Sequence, residues 1–114
     1  EGLKDNLNVC FYLKKEFNWK QMEQIKFGLQ DNVDVSIYAK TDFDWSQMQE
    51  LRFDLRDNID VSIYANPEYN VLQMNEIKKG LQANLNVSIY AKPKYSWMEM
   101  EQIREELLEE STLF

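Results

Sequence analysis

One 26-residue pattern is written four times along the chain, and that repetition governs what the chain can fold into. Asn32-Val-Asp-Val-Ser-Ile-Tyr-Ala39, Asn58-Ile-Asp-Val-Ser-Ile-Tyr-Ala65 and Asn84-Leu-Asn-Val-Ser-Ile-Tyr-Ala91 follow one another at a spacing of 26. A more divergent copy is Asn6-Leu-Asn-Val-Cys-Phe-Tyr-Leu13. The units run over 6–31, 32–57, 58–83 and 84–109. Residues 1–5 match the end of a unit, because Gly2-Leu3 corresponds to Gly28-Leu29, so they read as the tail of a preceding one. Residues 110–114 read as a C-terminal tail, and 1–114 as a single repeat domain. A unit this short cannot bury a hydrophobic face alone, so neighbouring units must supply the core.

Capping chemistry divides each unit into two segments. The longer one opens at Asn18, Asp44, Asn70 and Ser96, all strong N-cap residues. Three residues later stand Gln21, Gln47, Gln73 and Glu99, which completes a capping box in every copy. Phe17, Phe43, Tyr69 and Tyr95 precede the caps, and Met22, Met48, Met74 and Met100 sit at the fourth helical position, the pairing of a hydrophobic staple. The apolar stripe continues through Ile25 and Leu29, Leu51 and Leu55, Ile77 and Leu81, Ile103 and Leu107. Asn32, Asn58 and Asn84 then suit the left-handed residue that closes a helix. The pattern predicts a helix of three to four turns.

The shorter segment, Val35 to Lys40 and its equivalents, allows two readings. Val33, Val35, Ile37 and Ala39 alternate as in a strand. Asn8, Asp34, Asp60 and Asn86 stand where helix N-caps would, with Tyr12, Tyr38, Tyr64 and Tyr90 at the staple position and Pro67 and Pro93 just beyond. A strand gives no reason for an Asx residue at that fixed place, so a short helix of about six residues is favoured. The expected fold is all-α, an α-solenoid of four two-helix repeats, with an α/β solenoid of short parallel strands as the alternative. Gly28 and Gly80 fall late in their helices, where Asp54 and Glu106 stand in the other copies, and either close packing or early fraying would account for them.

The string Asp-Val-Ser-Ile-Tyr-Ala, a turn such as Asn66-Pro-Glu-Tyr69, and Gln-Met-x-Glu-Ile-Lys-x-Gly-Leu resembles a short tandem helical repeat found in arrays in clostridia-like bacteria and their mobile elements. The resemblance covers 6–109. It implies a helical interaction array with no assigned activity and no catalytic residues to carry over. In this chain Asn replaces the more usual Gly at the helix end, and Val71 interrupts the Trp position.

Chemistry finds little foothold. The chain has no histidine, the commonest general base and metal ligand. There is no Gly-rich phosphate loop and no nucleophile motif, so no enzyme and no cofactor are expected. Asp31-Asn32-x-Asp34 and Asp57-Asn58-x-Asp60 resemble half of a calcium loop but lack its glycine and its closing Glu, and capping accounts for them. Glu50/Asp54 and Glu101/Glu105 read as solvated helix faces. Cys10 replaces the Ser36, Ser62 and Ser88 of the other units and reads as a tolerated exchange. One cysteine forms no internal disulfide. No apolar run approaches the ~18 residues of a membrane span, and no charged-then-apolar leader opens the sequence, so a cytoplasmic protein without a membrane partner is expected.

Thirteen basic against twenty acidic residues give a net charge of −7, which disfavours nucleic acid. Lys26, Arg52, Lys78 and Arg104 nevertheless hold one position in all four units. They would either form a cationic ladder or serve the helix C-terminus and the residues three before them, Glu23, Gln49, Asn75 and Glu101. Positions that vary between otherwise matched units carry the functional signal. Phe27, Phe53, Lys79 and Glu105 hold one such position, about 140° from the inward stripe; Lys20, Ser46, Leu72 and Met98 hold another. Phe27, Phe53, Leu72 and Met98 therefore form either a partner-binding patch or packing deeper than one stripe. Trp19, Trp45 and Trp97 read as scaffold rather than as ligand-stacking residues. The expected function is a non-catalytic protein–protein interaction module with apolar anchors in an acidic surround. The alternatives are a structural spacer or self-associating array, and an acidic inhibitor or nucleic-acid mimic from a mobile element.

Overall fold

The computed structural model describes residues 16–112. The expectations for Cys10, for the first copy of the short segment and for residues 1–5 lie outside them. Within the described residues the protein is all-helical, with four α-helices, two 3-10 turns and no strand. The helices are α1 (Trp19–Gln30), α2 (Trp45–Arg56), α3 (Val71–Gln82) and α4 (Trp97–Thr112). The chain divides into two compact units between Val61 and Ser62, each holding two of the helices.

Every helix starts where the caps place it. Asn18 accepts from the Gln21 backbone N–H at 2.8 Å, and the Gln21 side chain accepts from the Asn18 N–H at 2.8 Å. The same reciprocal pair forms at Asp44/Gln47, Asn70/Gln73 and Ser96/Glu99. Gln21 and Gln73 have a second task that a carboxylate could not perform. Their amide nitrogens donate to the carbonyls of Phe43 and Tyr95, each at 2.6 Å, and so tie one helix start to the approach of the next. The staple residues Phe43, Met48, Tyr69, Met74 and Met100 are buried.

The helix ends follow the sequence equally closely in three copies. Asn32, Asn58 and Asn84 have φ of 60°, 62° and 60°. Val33, Ile59 and Leu85 donate to Gly28, Asp54 and Gly80, while the three Asn donate to Leu29, Leu55 and Leu81, the paired bonds of a Schellman closure. At the fourth equivalent position stands Glu110, which gives no such closure, and α4 runs on to Thr112. The tail expected from 110 is therefore helical at its start.

The short segment is corrected. It is a three-residue 3-10 turn at Val35–Ile37 and Val87–Ile89, not a six-residue helix. In the intervening copy residues 62–64 form only a turn. Residues three apart eclipse in 3-10 geometry, so Val35 and Tyr38 reach the same side, as do Val87 and Tyr90. That side is buried: both tyrosines are fully enclosed, and Val35 and Val87 nearly so. The Tyr38 hydroxyl donates to the Gln24 carbonyl at 2.7 Å, and Tyr90 donates to the Glu76 carbonyl at 2.7 Å.

This docking explains the glycines. A Cβ on Gly28 would lie 1.9 Å from the Tyr38 hydroxyl and 2.6 Å from Val35 Cγ1; at Gly80 the corresponding distances to Tyr90 and Val87 are 2.0 and 2.6 Å. Close packing, not fraying, is the reason for both.

Within each unit the neighbouring helices run parallel. In the first, Lys20 lies against Trp45 and Phe27 against Arg52, so helix start meets start and end meets end. In the second, Gln73 bonds Tyr95 and Glu76 bonds Arg104, again advancing together. The connection between two parallel helices has to travel back along their length, and the docked tyrosine fixes that return path.

Gly28→Ala should destabilise the protein by about 1–3 kcal/mol, the usual cost of overpacking, in a urea titration. Adding Tyr38→Phe should recover part of that loss, because it removes the nearest clashing atom. The Tyr90 hydroxyl has its pKa pushed up to about 12, chiefly by burial and further by the Glu76 charge, against the opposing pull of Arg104 and the Gly80 backbone. Because this folded-state value lies above the unfolded one, the associated stability is complete below about pH 10 and disappears as pH rises through about 12. The unfolding midpoint of the wild type should therefore fall more steeply between pH 10 and 12 than that of Tyr90→Phe.

Candidate interaction face

The four cations at the shared helix position do not form one outward ladder. Arg52 is 7% exposed. It donates through Nε to Gln24 Oε1 at 2.9 Å and through Nη1 to Asp31 at 3.1 Å. Arg104, half-buried, donates through Nε to Glu76 Oε1 at 2.8 Å. Lys79 reaches the other Glu76 oxygen at 3.5 Å. The arginines thus bind a residue 28 positions back, on the neighbouring helix, rather than the residue three before them on their own. Lys26 is exposed and Lys78 half-buried.

Each of the two arginines has one carboxylate at its position-specific site, but in a different place. The first unit pairs neutral Gln24 with Asp31; the second pairs Glu76 with Ala83, which holds the Asp31 position. The charge has moved from the helix end to the helix middle while the arginine is kept. Glu50 and Asp54 are also not the solvated face expected of them: Asp54 is buried and Glu50 half-buried.

The apolar candidates lie outward to different degrees. Leu72 is 51% and Met98 60% exposed, Phe27 is 37% exposed, and Phe53 is half-buried. Phe27 and Phe53 come together on one side chain, with the Arg52 guanidinium 5.3 Å from the first ring and 4.5 Å from the second. Arg56 stacks on Phe53 from 4.9 Å. At the opposite end of the same helices Lys20 lies 5.6 Å from the Trp19 ring and 4.9 Å from the Trp45 ring.

Trp19 departs from the scaffold role expected of it, since 68% of it is exposed. Trp45 is partly exposed and Trp97 half-buried. Sequence reasoning also missed Ile63 and Ile89, which are about half exposed. The signal was present: with Val and Tyr three apart both facing inward, the isoleucine between them has to face out.

No group of three or more His, Cys, Asp or Glu among the described residues is arranged to hold a metal ion. The Asx residues serve the turns: Asp34 accepts from the Ser36 backbone N–H at 3.2 Å and from its hydroxyl at 2.5 Å, and Asn86 accepts from the Ser88 hydroxyl at 2.6 Å. No helix among the described residues is long and apolar enough to cross a membrane. Comparison with family models, with curated proteins and with solved structures gives no match to this chain.

Asp31→Ala leaves the Arg52 guanidinium without its carboxylate and should cost about 1–2 kcal/mol, less than a fully buried pair because Asp31 is partly solvated. Adding Gln24→Glu copies the arrangement of the second unit and should return most of that stability. A double variant no more stable than Asp31→Ala would show that the two acidic positions are not interchangeable.

Proposed function

We propose that the four repeats stack as an α-solenoid and that the protein is a non-catalytic protein–protein interaction module. The observation that supports this most is the exposure of Leu72 and Met98, at a helix position that differs between otherwise matched units, together with that of Trp19. Exposed apolar groups have no folding role at these places, and clustered ones mark partner surfaces. Around them the chain is acidic, with a net charge of −7, which steers basic or mixed-charge partners and repels acidic ones except at local cationic spots. The resemblance to a tandem helical repeat without assigned activity fits the same reading.

The test is to immobilise the protein and a Trp19→Ser/Leu72→Ser variant and to compare what each retains from lysate of the native host. Both should melt within a few degrees of each other, since neither side chain is in the core. A protein held by the wild type and lost by the variant is the expected result. Equal retention by both, or none by either, would turn the reading toward a structural spacer.

A further inference from the structure

The first unit presents a face unlike the rest of this acidic chain. Lys20 stands between two tryptophan rings at one end of the α1/α2 pair; Phe27, Phe53 and Arg56 stand at the other. The seven residues from Lys20 to Phe27 place these ends about 10.5 Å apart at 1.5 Å per residue. Lys20 has no carboxylate within ion-pair distance among the described residues, and Arg56 reaches only Asp57, at 3.9 Å. Glu23 lies exposed between the two ends, on the same side of α1.

A surface with the complementary order is found on α4. Met98, Gln102, Glu105 and Glu109 fall within about 60° of one another on the helical wheel, and all four are exposed. Met98 and Glu105 are again seven residues apart, and Leu108 adds apolar area at the edge of the stripe. The stripe carries acids where the α1/α2 face carries cations, a methionine for its rings, and a neutral amide, Gln102, for the place where that face has Glu23.

We propose that this α1/α2 face binds α4 of a second copy of the protein. Glu105 and Glu109 of α4 approach a cation of the face, Met98 lies on an aromatic ring at the other end, and Gln102 meets Glu23. The proposal deepens the reading of the outer helix faces as binding surfaces and rests on it. Because two different surfaces meet, a bound pair still offers one free surface of each kind, α4 on one copy and the α1/α2 face on the other, so association continues head to tail. One helix on a two-helix face makes an interface at or below about 1,200 Å², the size of weak, transient contacts. The net negative charge of both copies weakens it further at long range, and salt acts on the ion pairs.

Sedimentation equilibrium of the full chain, at concentrations up to about 500 μM in low salt, tests this. The wild type should show a mass that rises with concentration past that of a dimer. Lys20→Glu/Arg56→Glu and Glu105→Lys/Glu109→Lys should each lower the association constant about tenfold or more. An equimolar mixture of the two variants should associate again, since the unaltered α4 of the first then meets the unaltered face of the second, and the two reversed surfaces meet each other. A wild type that stays monomeric throughout the range overturns the proposal, as does association unchanged by the variants, or a mixture that associates no better than either variant alone. The capture experiment is independent of these results, so a monomer that still holds a host protein would remove self-association while keeping the binding module.

Discussion

The fold depends on how closely a tyrosine can approach a helix backbone. Tyr38 lies on α1 with its hydroxyl bonded to the Gln24 carbonyl, and that approach exists only because residue 28 has no side chain. Tyr90 repeats the arrangement on α3 at Gly80. The ring burial and its bond fix the returning connection, and that connection sets α2 parallel to α1 and α4 parallel to α3. The parallel arrangement then brings Gln21 to the Phe43 carbonyl and Arg52 to Gln24, contacts that antiparallel helices could not form with these residues. A glycine in mid-helix is usually a loss of about 1 kcal/mol. Here the burial of a tyrosine, with a satisfied hydroxyl, exceeds it.

Local features of the fold were legible because their chemistry is local. Capping boxes, staples and the Asn closure involve residues no more than five apart, so the sequence contains both partners of each bond. Residues 18 and 21, or 28 and 33, could be read without knowing what packs against what. The Val-Ser-Ile-Tyr segment was misjudged in length for the opposite reason. Its caps suggested a helix, but its extent is decided by the need to place Val35 and Tyr38 together against α1, and 3-10 geometry does that in one turn. The partner of Arg52 was hidden likewise, since it lies 28 residues back and becomes visible only once the helices are known to be parallel. Trp19 looked like scaffold because it recurs at Trp45 and Trp97, yet recurrence reports a shared position and not a shared burial.

The sequence repeats every 26 residues, and at two positions of the described residues the residue type alternates from one repeat to the next. Glycine stands at 28 and 80, an acid at 54 and 106; lysine stands at 26 and 78, arginine at 52 and 104. Gln21, Tyr38 and Arg52 in the first compact unit make the same hydrogen bonds as Gln73, Tyr90 and Arg104 in the second. The segment after α2, where Asp54 replaces the glycine, has no 3-10 turn, whereas the segments after α1 and α3 do. A glycine and a tight turn therefore occur together after α1 and α3, while Val61 and Tyr64 after α2 are buried as deeply without the glycine. The shift of a carboxylate from Asp31 to Glu76 shows the same economy: the arginine is the fixed element and its acid is free to move along the helix.

Separating the fixed positions from the free ones is also what the proposed recognition role requires of the outer face. Caps, staple, tyrosine and arginine are satisfied inside the two units, and none of them requires a particular residue at positions 20, 27 or their equivalents. Those positions hold Lys20, Phe27, Phe53, Leu72, Lys79, Met98 and Glu105, a mixture of ring, aliphatic chain and both charges on nearly the same backbone. A scaffold with its stability held elsewhere can vary such positions at little cost to folding. The charged ones are of both signs, and of the apolar ones Leu72 and Met98 are the most exposed while Phe53 is half-buried. An exposed tryptophan beside a lysine with no ion-paired acid among the described residues carries apolar area and charge at the surface, and a partner of matching chemistry would cover both.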